Sequence, residues 1–579
     1  MSTEKKQSFL QGAIILILGT MLVKIIGLFF KMPLTNIIGA AGMGYFNVAY
    51  GLFNTLYALS VAGLPVAVAK MVAENAGACR FKDVRRIHRL STVSFFITGI
   101  VGALIMFFGA HPYVQFSKNE GAYYAVAVMS PAILFVCLTS AVRGYYEGLR
   151  NMYPTAVSQV IEALAKLVFG LWAAAAALEK GMAEFYLFGT VAGNKCANAS
   201  EAHFAALPYA AAGAVAGMAL SCVISAAYLW LRHRIVGDGI TKAELAAAPP
   251  ALSRRRLLKR LFTFAVPVCI GSLVLNITTL IDISSITSRI SAALQASPAT
   301  VFKMYGAAIP SAMPLAGVPN FLYGTYMMAV MVFNLVPAIT TTFGVSALPV
   351  ISAAWGAHNK AELTKNIESV LRITAIVAFP AGLGLVALAE PILLLLYPGE
   401  AQVLTITAPM LRALGIAVLF VSLATPVNSM LQAIGRVDIP VKLMLCGGAA
   451  KLVTNYIFVA LPKVNIQAAP YGTLLCYMII ICCSVPVLCR SAGVRLNFVK
   501  TFFKPFFAAV LCGFTAWASY GLLHRVTGST VSTLISILFS GLIYIILLFL
   551  VRVIQKKDVL MLPNGKNIAK TLEKKGLIG

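Results

Sequence analysis

Apolar stretches long enough to cross a bilayer recur along this chain from end to end, and no other feature limits its fold as strongly. A hydrocarbon layer about 30 Å thick takes roughly 20 apolar residues in a helix. About fourteen such stretches are readable, near 9–31, 42–70, 91–109, 123–143, 154–178, 207–231, 262–288, 321–350, 371–396, 404–431, 440–461, 469–489, 503–523 and 531–553. Inside lipid the backbone finds no water, so only helices or closed barrels can span it. Barrel strands would read as short alternating segments, and the sequence has none of that pattern. The expected fold class is an all-α polytopic membrane protein with about 14 transmembrane helices. Composition agrees, with 60% of the 579 residues hydrophobic and 11% charged.

A net charge of +27 raises the question of nucleic acid, but its distribution answers it. Basic residues gather in every second connection: Arg80 to Arg89, Arg232 to Arg260, Lys360 and Lys365, Arg490 to Lys500, and the tail from Lys556 to Lys575. The intervening connections are nearly bare, and the longest of them lie near 179–206 and 289–320. That alternation is the positive-inside pattern. It predicts both termini in the cytoplasm, and it leaves no charge excess for a nucleic-acid partner. The first apolar run is too long for a signal peptide and no small-x-small site follows it, so it reads as an uncleaved helix. The eleven cysteines are scattered at no metal-ligand spacing and read as small packing residues.

The chain also repeats itself at a separation of about 285 residues. Arg150 and Pro154 lead into a span holding Lys166, as Arg436 and Pro440 lead into one holding Lys451. Phe53-Asn54 with Leu64-Pro65 likewise matches Phe333-Asn334 with Leu348-Pro349. Six spans per copy is an even number, so the copies are parallel repeats. The expected organisation is an N-lobe over 1–232, a cytoplasmic linker over 233–260, a C-lobe over 261–490, a two-helix hairpin over 491–555 and a basic tail over 556–579.

Charges inside spans are costly, about 2.5–3.5 kcal/mol at the bilayer centre on insertion scales. Lys24 and Lys31 share the first span, seven residues and so about 10 Å apart on one side of a helix. Two readings stand: snorkelling toward the headgroups, or a cationic cavity that receives an anion. Arg143 ends the fourth span, and Lys166 lies one turn after Glu162, which makes an ion pair with it the simple reading. Asn54 and Asn334 offer hydrogen bonds to a polar ligand or between helices. In the second half Asp282 lies within the seventh span, and Lys451 and Asn455 stand one turn apart in the eleventh.

Val23-Lys24-Ile25-Ile26-Gly27, Pro33-Leu34-Thr35-Asn36-Ile37-Ile38-Gly39, Gly42-Met43-Gly44 and Ala62 to Lys70 with Glu74 closely resemble one group of proteins. It is the stage V sporulation protein B and lipid II flippase (MurJ-like) family, in the polysaccharide branch of the multidrug/oligosaccharidyl-lipid/polysaccharide exporter superfamily. The similarity continues through the Arg150/Pro154, Leu348-Pro349 and Arg436/Pro440 segments. The resemblance implies two six-helix lobes around a central cavity plus a C-terminal hairpin, in a bacterial plasma membrane. It also implies a flippase, not an enzyme, that moves an undecaprenyl-diphosphate-linked cell-wall precursor such as lipid II outward by alternating access, with membrane potential or an ion gradient as the expected driving force. Wall synthesis, cell shape or sporulation would be the setting, with a monomer as the working unit.

On that resemblance Lys24 matches the first of the family's substrate-binding cations and Lys31 lies near the second. Asn54, Arg143, Lys166 and Asn334 join them as expected ligands of the diphosphate and sugars. A further family arginine, in the eighth span, has no counterpart between Tyr323 and Asn334. Several relatives hold sodium in the second lobe; here Lys451 would take its place and pair with Asp282 beside Asn455, so no cofactor is expected. The rival readings are a flippase for another lipid-linked oligosaccharide and a cation-coupled multidrug exporter. A drug-cation carrier would need acids where the first-lobe spans offer chiefly Glu162. Neither a phosphate-cradling motif nor a sizeable outer segment rich in carboxylates is present, so ATP and glycosyl-transfer chemistry have no basis here.

Overall fold

The computed structural model describes residues 9–61, 64–311, 313–436, 438–551 and 553. The first helices are α1 (Phe9–Val61), α2 (Leu64–Gly77), α3 (Phe81–Phe108), α4 (Ala110–Phe116), α5 (Tyr123–Gly148), α6 (Tyr153–Phe188) and α7 (Ala199–Ile235). Then come α8 (Lys242–Ala247), α9 (Arg254–Ala296), α10 (Pro298–Tyr305), α11 (Val318–Phe333), α12 (Leu335–Gly356) and α13 (Lys360–Ala387). The last are α14 (Ala389–Leu396), α15 (Leu404–Ala433), α16 (Asp438–Phe458), α17 (Ala469–Ala492), α18 (Lys504–Leu523) and α19 (Ser529–Leu550). A single small hairpin, β1 (Thr190–Val191) with β2 (Asn194–Lys195), stands among the described residues. Eleven helices among the described residues are long and apolar enough to cross a membrane. The expected spans fall on the two parts of α1, then α3, α5, α6, α7, α9, the α11–α12 pair, α13 and α15 to α19.

Packing divides the chain into two compact units. One runs through Ser291 and includes Pro310–Gly324; the other takes Ala292–Ile309 and the residues from Thr325 onward.

In the first unit α1 is broken at Gly39, whose φ of 63° and ψ of −177° suit glycine almost alone. Asn320 secures the break: its Nδ2 donates to the Ala41 carbonyl at 2.6 Å, and its Oδ1 accepts from Asn119 at 2.6 Å. Gly44 makes room for Asn320, which any side chain there would strike. The α6 and α7 helices meet through small residues, as membrane helices commonly do. A methyl group on Gly213 or Gly217 would collide with the α6 backbone at Ala173 or Phe169. These two helices have 36 and 37 residues, about 55 Å each, well beyond the hydrocarbon. The expected long connection at 179–206 is thus mostly helix, closed by the hairpin, with Val191 packed on Ala202 and Ala206.

The stretch after α7 folds back along α3. Lys82 donates to the Ala248 carbonyl at 2.7 Å and Arg86 to that of Leu252 at 2.7 Å, while Arg85 pairs with Asp238 at 3.0 Å. In the second unit Gly382 of α13 and Gly415 of α15 each lie against the other's carbonyl. The C-terminal hairpin of α18 and α19 is tied to α13 by the Tyr544 hydroxyl, which donates to Ile376 O at 2.9 Å.

The duplication is visible in the turns. α2 ends with Cys79 left-handed and α12 with His358, at φ of 55° and 53°; α5 ends on Arg150 and α15 on Gly435, at 59° and 84°. Each turn closes with the paired bonds of a Schellman motif, such as Asn151 N to Tyr146 O and Arg436 N to Leu431 O. The Arg-to-Pro spacing aligns Arg150 with Arg436, whereas the backbone aligns Arg150 with Gly435. The backbone register is the physical one, because a left-handed residue is fixed by the helix end while proline tolerates a shift within the next first turn. In that register Lys166 and Lys451 fall on equivalent positions.

Candidate functional site

Aromatic residues along the second part of α1 recur at helical spacing and stack face to face. Phe46 and Tyr50 lie 5.8 Å apart between ring centroids, Tyr50 and Phe53 6.3 Å, Phe53 and Tyr57 6.1 Å. Phe30, on the first part of the helix, joins this ladder against Phe46 at 6.1 Å. The break at Gly39 is what brings the two parts of one helix side by side.

Two lysines sit on the ladder. Lys31 Nζ lies 5.2 Å from the centre of the Tyr50 ring, and Lys166 Nζ of α6 lies 5.5 Å from that of Phe30. The charges of Lys31 and Lys166 act on one another. Aromatic faces offset part of the cost of a desolvated cation, about 0.5–2 kcal/mol each. They do not neutralise it. Two like charges so placed create a local demand for an anion.

Arg143 of α5 forms a separate node. Its Nη2 donates to Glu162 Oε2 at 2.8 Å and to Ser225 Oγ at 3.0 Å, and its Nε to Ser158 Oγ at 2.9 Å. Glu162 therefore reaches across to α5 to meet Arg143. The Tyr57 hydroxyl end of the ladder lies within electrostatic reach of this Arg–Glu pair. The arginine is so held by an acid and two hydroxyls through its Nε and Nη2.

Comparison with known proteins follows the same outline. A family profile described as polysaccharide biosynthesis protein matches residues 9–194, and one described as lipid II flippase MurJ matches residues 321–540. The lipid II flippase MurJ of Bacillus subtilis (strain 168) is 24% identical over 494 residues, covering 84% of this chain and 83% of that protein. Stage V sporulation protein B of the same organism is 22% identical over 564 residues, covering 96% and 98%. Among solved structures, the inward closed conformation of lipid II flippase MurJ superposes with a TM-score of 0.61 at 15% identity, covering 92% of this chain and 98% of that one. The first part of the chain is thus similar to polysaccharide biosynthesis proteins and the second to lipid II flippases, and the fold is that of the MurJ structure. The eleven apolar helices of membrane-crossing length among the described residues make it a multi-pass membrane protein with a MurJ-like helical fold.

The remaining expected residues fall in several places. Lys24 is exposed on α1, two turns before Lys31, and Asn54 is half-buried on the ladder helix between Phe53 and Tyr57. Asn334 is exposed where α11 gives way to α12. In the second unit Lys451 and the buried Asn455 both face Gly472 of α17, where a methyl group would strike the Asn455 Oδ1. The side chain of Asp282 lies outside the described residues. Phe30, Tyr50, Tyr57, Ser158 and Ser225 were not expected from sequence. The spacing of Phe46, Tyr50, Phe53 and Tyr57 at intervals of four, three and four was the available signal, since it marks one helix face.

Proposed function

We propose that this chain flips an undecaprenyl-diphosphate-linked cell-wall precursor, lipid II in the first instance, from the inner to the outer leaflet of the bacterial plasma membrane. The observation that carries the reading is the pair Lys31 and Lys166 on aromatic faces, with the neighbouring acid Glu162 taken by Arg143. A diphosphate supplies the missing negative charge, and lysine binds phosphate as a compact point charge. Lys24 extends the cationic path along the first span, and Asn54 offers hydrogen bonds to the sugars. The names of the relatives support lipid II as cargo. The protein acts as a monomer with both termini in the cytoplasm, as the alternation of basic connections supports.

Membrane potential drives the step. Two negative charges leaving a negative interior gain about 4.6 kcal/mol at 100 mV, and the emptied cationic site is drawn back by the same field. Lys451 takes the place of a coupling cation in the second unit, its stem and Asn455 lying together against Gly472. A multidrug exporter for cationic drugs is the weaker reading, because the sign of the Lys31–Lys166 pair is wrong for it.

The test is depletion of the protein with rescue by variants, scored by lipid-linked precursor held in the inner leaflet. Lys31→Ala and Lys166→Ala should each leave flipping at least tenfold slower, with the protein still folded and inserted. Full rescue by both would remove the pair from the mechanism. Collapsing the membrane potential should slow the wild type; an unchanged rate would remove the driving force proposed here.

A further inference from the structure

The second unit carries a basic pocket that the transport reading does not use. It has a volume of about 240 Å³ and is lined by Trp355 and His358 at the end of α12, Lys360 at the start of α13, and Arg490 to Gly493 at the end of α17. Three separate segments thus bring an imidazole, an ammonium and a guanidinium to one small cavity.

The backbone is shaped to place them. His358 occupies the left-handed position of a Schellman turn at φ 53°, with His358 N bonded to Trp355 O at 3.1 Å and Asn359 N to Ala354 O at 3.2 Å. Glycine is the usual residue there, so an imidazole is held in the pocket wall despite the strain. Gly493 is left-handed at φ 64°, and a Cβ on it would lie 3.7 Å from Lys360 Nζ. The ammonium therefore lies in ordinary contact distance of that turn.

The nearby acids are engaged on helix and loop groups. Glu362 bonds Asn359 Nδ2 at 3.1 Å, and Glu368 accepts from Asn497 N at 2.8 Å. The cations are exposed and the pocket lies where membrane-crossing helices end. Trp355, 38% exposed, marks the headgroup level at which tryptophan is enriched. Basic pockets between membrane helices at that depth select anionic headgroups.

We propose that this pocket binds the phosphate of an anionic phospholipid from the leaflet facing the α12–α13 turn, with Lys360 and Arg490 on the phosphate oxygens and His358 on a third. The volume accommodates one glycerophosphate head, which points to phosphatidylglycerol. The occupant ties α12, α13 and α17 together at their ends. This assignment does not depend on the cargo: a failure of lipid II transport would leave it standing.

The experiment is lipid binding by the purified full chain in phosphatidylcholine nanodiscs doped with phosphatidylglycerol. Wild type should retain phosphatidylglycerol selectively, and Lys360→Gln with Arg490→Gln should weaken retention about thirty-fold without lowering Tm in pure phosphatidylcholine. Arg495→Gln with Lys500→Gln, which alters basic residues of the same connection outside the pocket, should weaken it far less. Equal losses in both double variants would mark diffuse surface attraction and overturn the site. Displacement of the lipid by millimolar inorganic phosphate would overturn the lipid as ligand, and so would preferential retention of added undecaprenyl diphosphate. If the Lys360/Arg490 variant proves unstable, His358→Gly, which removes the imidazole and suits the left-handed turn, should weaken retention instead; retention of phosphatidylglycerol at wild-type strength there would also overturn the site.

Discussion

The turns that open α3 and α13 are copies of one another, yet their basic residues meet opposite fates. Both follow a left-handed residue, Cys79 or His358, and both place an acid three residues after the first helix-start residue, Asp83 after Arg80 and Glu362 after Asn359. At α3 the chain returns from α7 and engages Arg80, Lys82, Arg85 and Arg86. Asp83 is fully buried, holds Arg80 at 2.6 Å and accepts from Leu252 N at 2.7 Å; Arg85 grips Asp238 through two bonds. At α13 the acid is exposed and accepts from Asn359 Nδ2, while Asn359 Oδ1 caps the helix on the Glu362 N–H, and the cations are left around a pocket. The same turn is a closed joint where a following segment supplies carbonyls and carboxylates, and a receptive site where none returns.

The largest expected difference between the corners comes from their acids. Asp83→Ala strips a buried carboxylate from an arginine and a backbone N–H, which should cost about 3 kcal/mol. Glu362→Ala removes an exposed cap contact and should cost about 0.5 kcal/mol. Denaturant titration of the purified protein in micelles checks both; similar costs would show that the α3 corner is no more locked than the other.

Acid should open the first corner and not the second. Burial alone would raise the Asp238 carboxyl, but the Arg85 bond, the Ile240 N–H and the Tyr145 hydroxyl outweigh it and hold it below the usual carboxylate range. A depressed folded value means that its stabilisation is complete above the ordinary carboxylate range, about pH 4, and fades as pH falls through the depressed value. Cleavage by an acid-tolerant protease between residues 238 and 252 should therefore rise sharply below about pH 4. Asp238→Asn should show that cleavage already at neutral pH, with a stability loss of about 1–2 kcal/mol. A flat pH profile in wild type would mean that Asp238 does not hold the segment.

Much of this fold is legible from hydropathy because each apolar run of twenty residues has few alternatives to crossing. The burial of Asp83 is not: its partner Leu252 comes 169 residues later, and a charged loop residue reads as solvated until that return is known. Glu162 shows the same limit within the candidate site. Local geometry offers it Lys166 one turn on, while packing of α5 on α6 brings Arg143 to it at 2.8 Å. Which glycine breaks α1 is also hidden, since Gly27, Gly39 and Gly42 look alike in sequence and only the crossing by Asn320 selects the region of Gly39. The lysines were legible because a cation in a span is anomalous by itself. The aromatic faces that seat them required the fold.

The smallest expected effect tests the register of the duplication itself. Arg150 and Gly435 stand at equivalent left-handed positions, but only one of them is the residue such a position favours. An L-residue there costs about 1–2 kcal/mol relative to glycine. The chain therefore carries at the end of α5 a strain that it lacks at the end of α15. Arg150→Gly should raise stability by about 1 kcal/mol, and Gly435→Arg should lower it by a similar amount, with insertion unchanged in both. Arg436→Gly, one residue past the left-handed position of its turn, should gain nothing; a gain there equal to that of Arg150→Gly would mean that left-handed strain is not its source. The two glycine substitutions, measured side by side by thermal unfolding, separate a duplication kept in backbone geometry from one kept in charge.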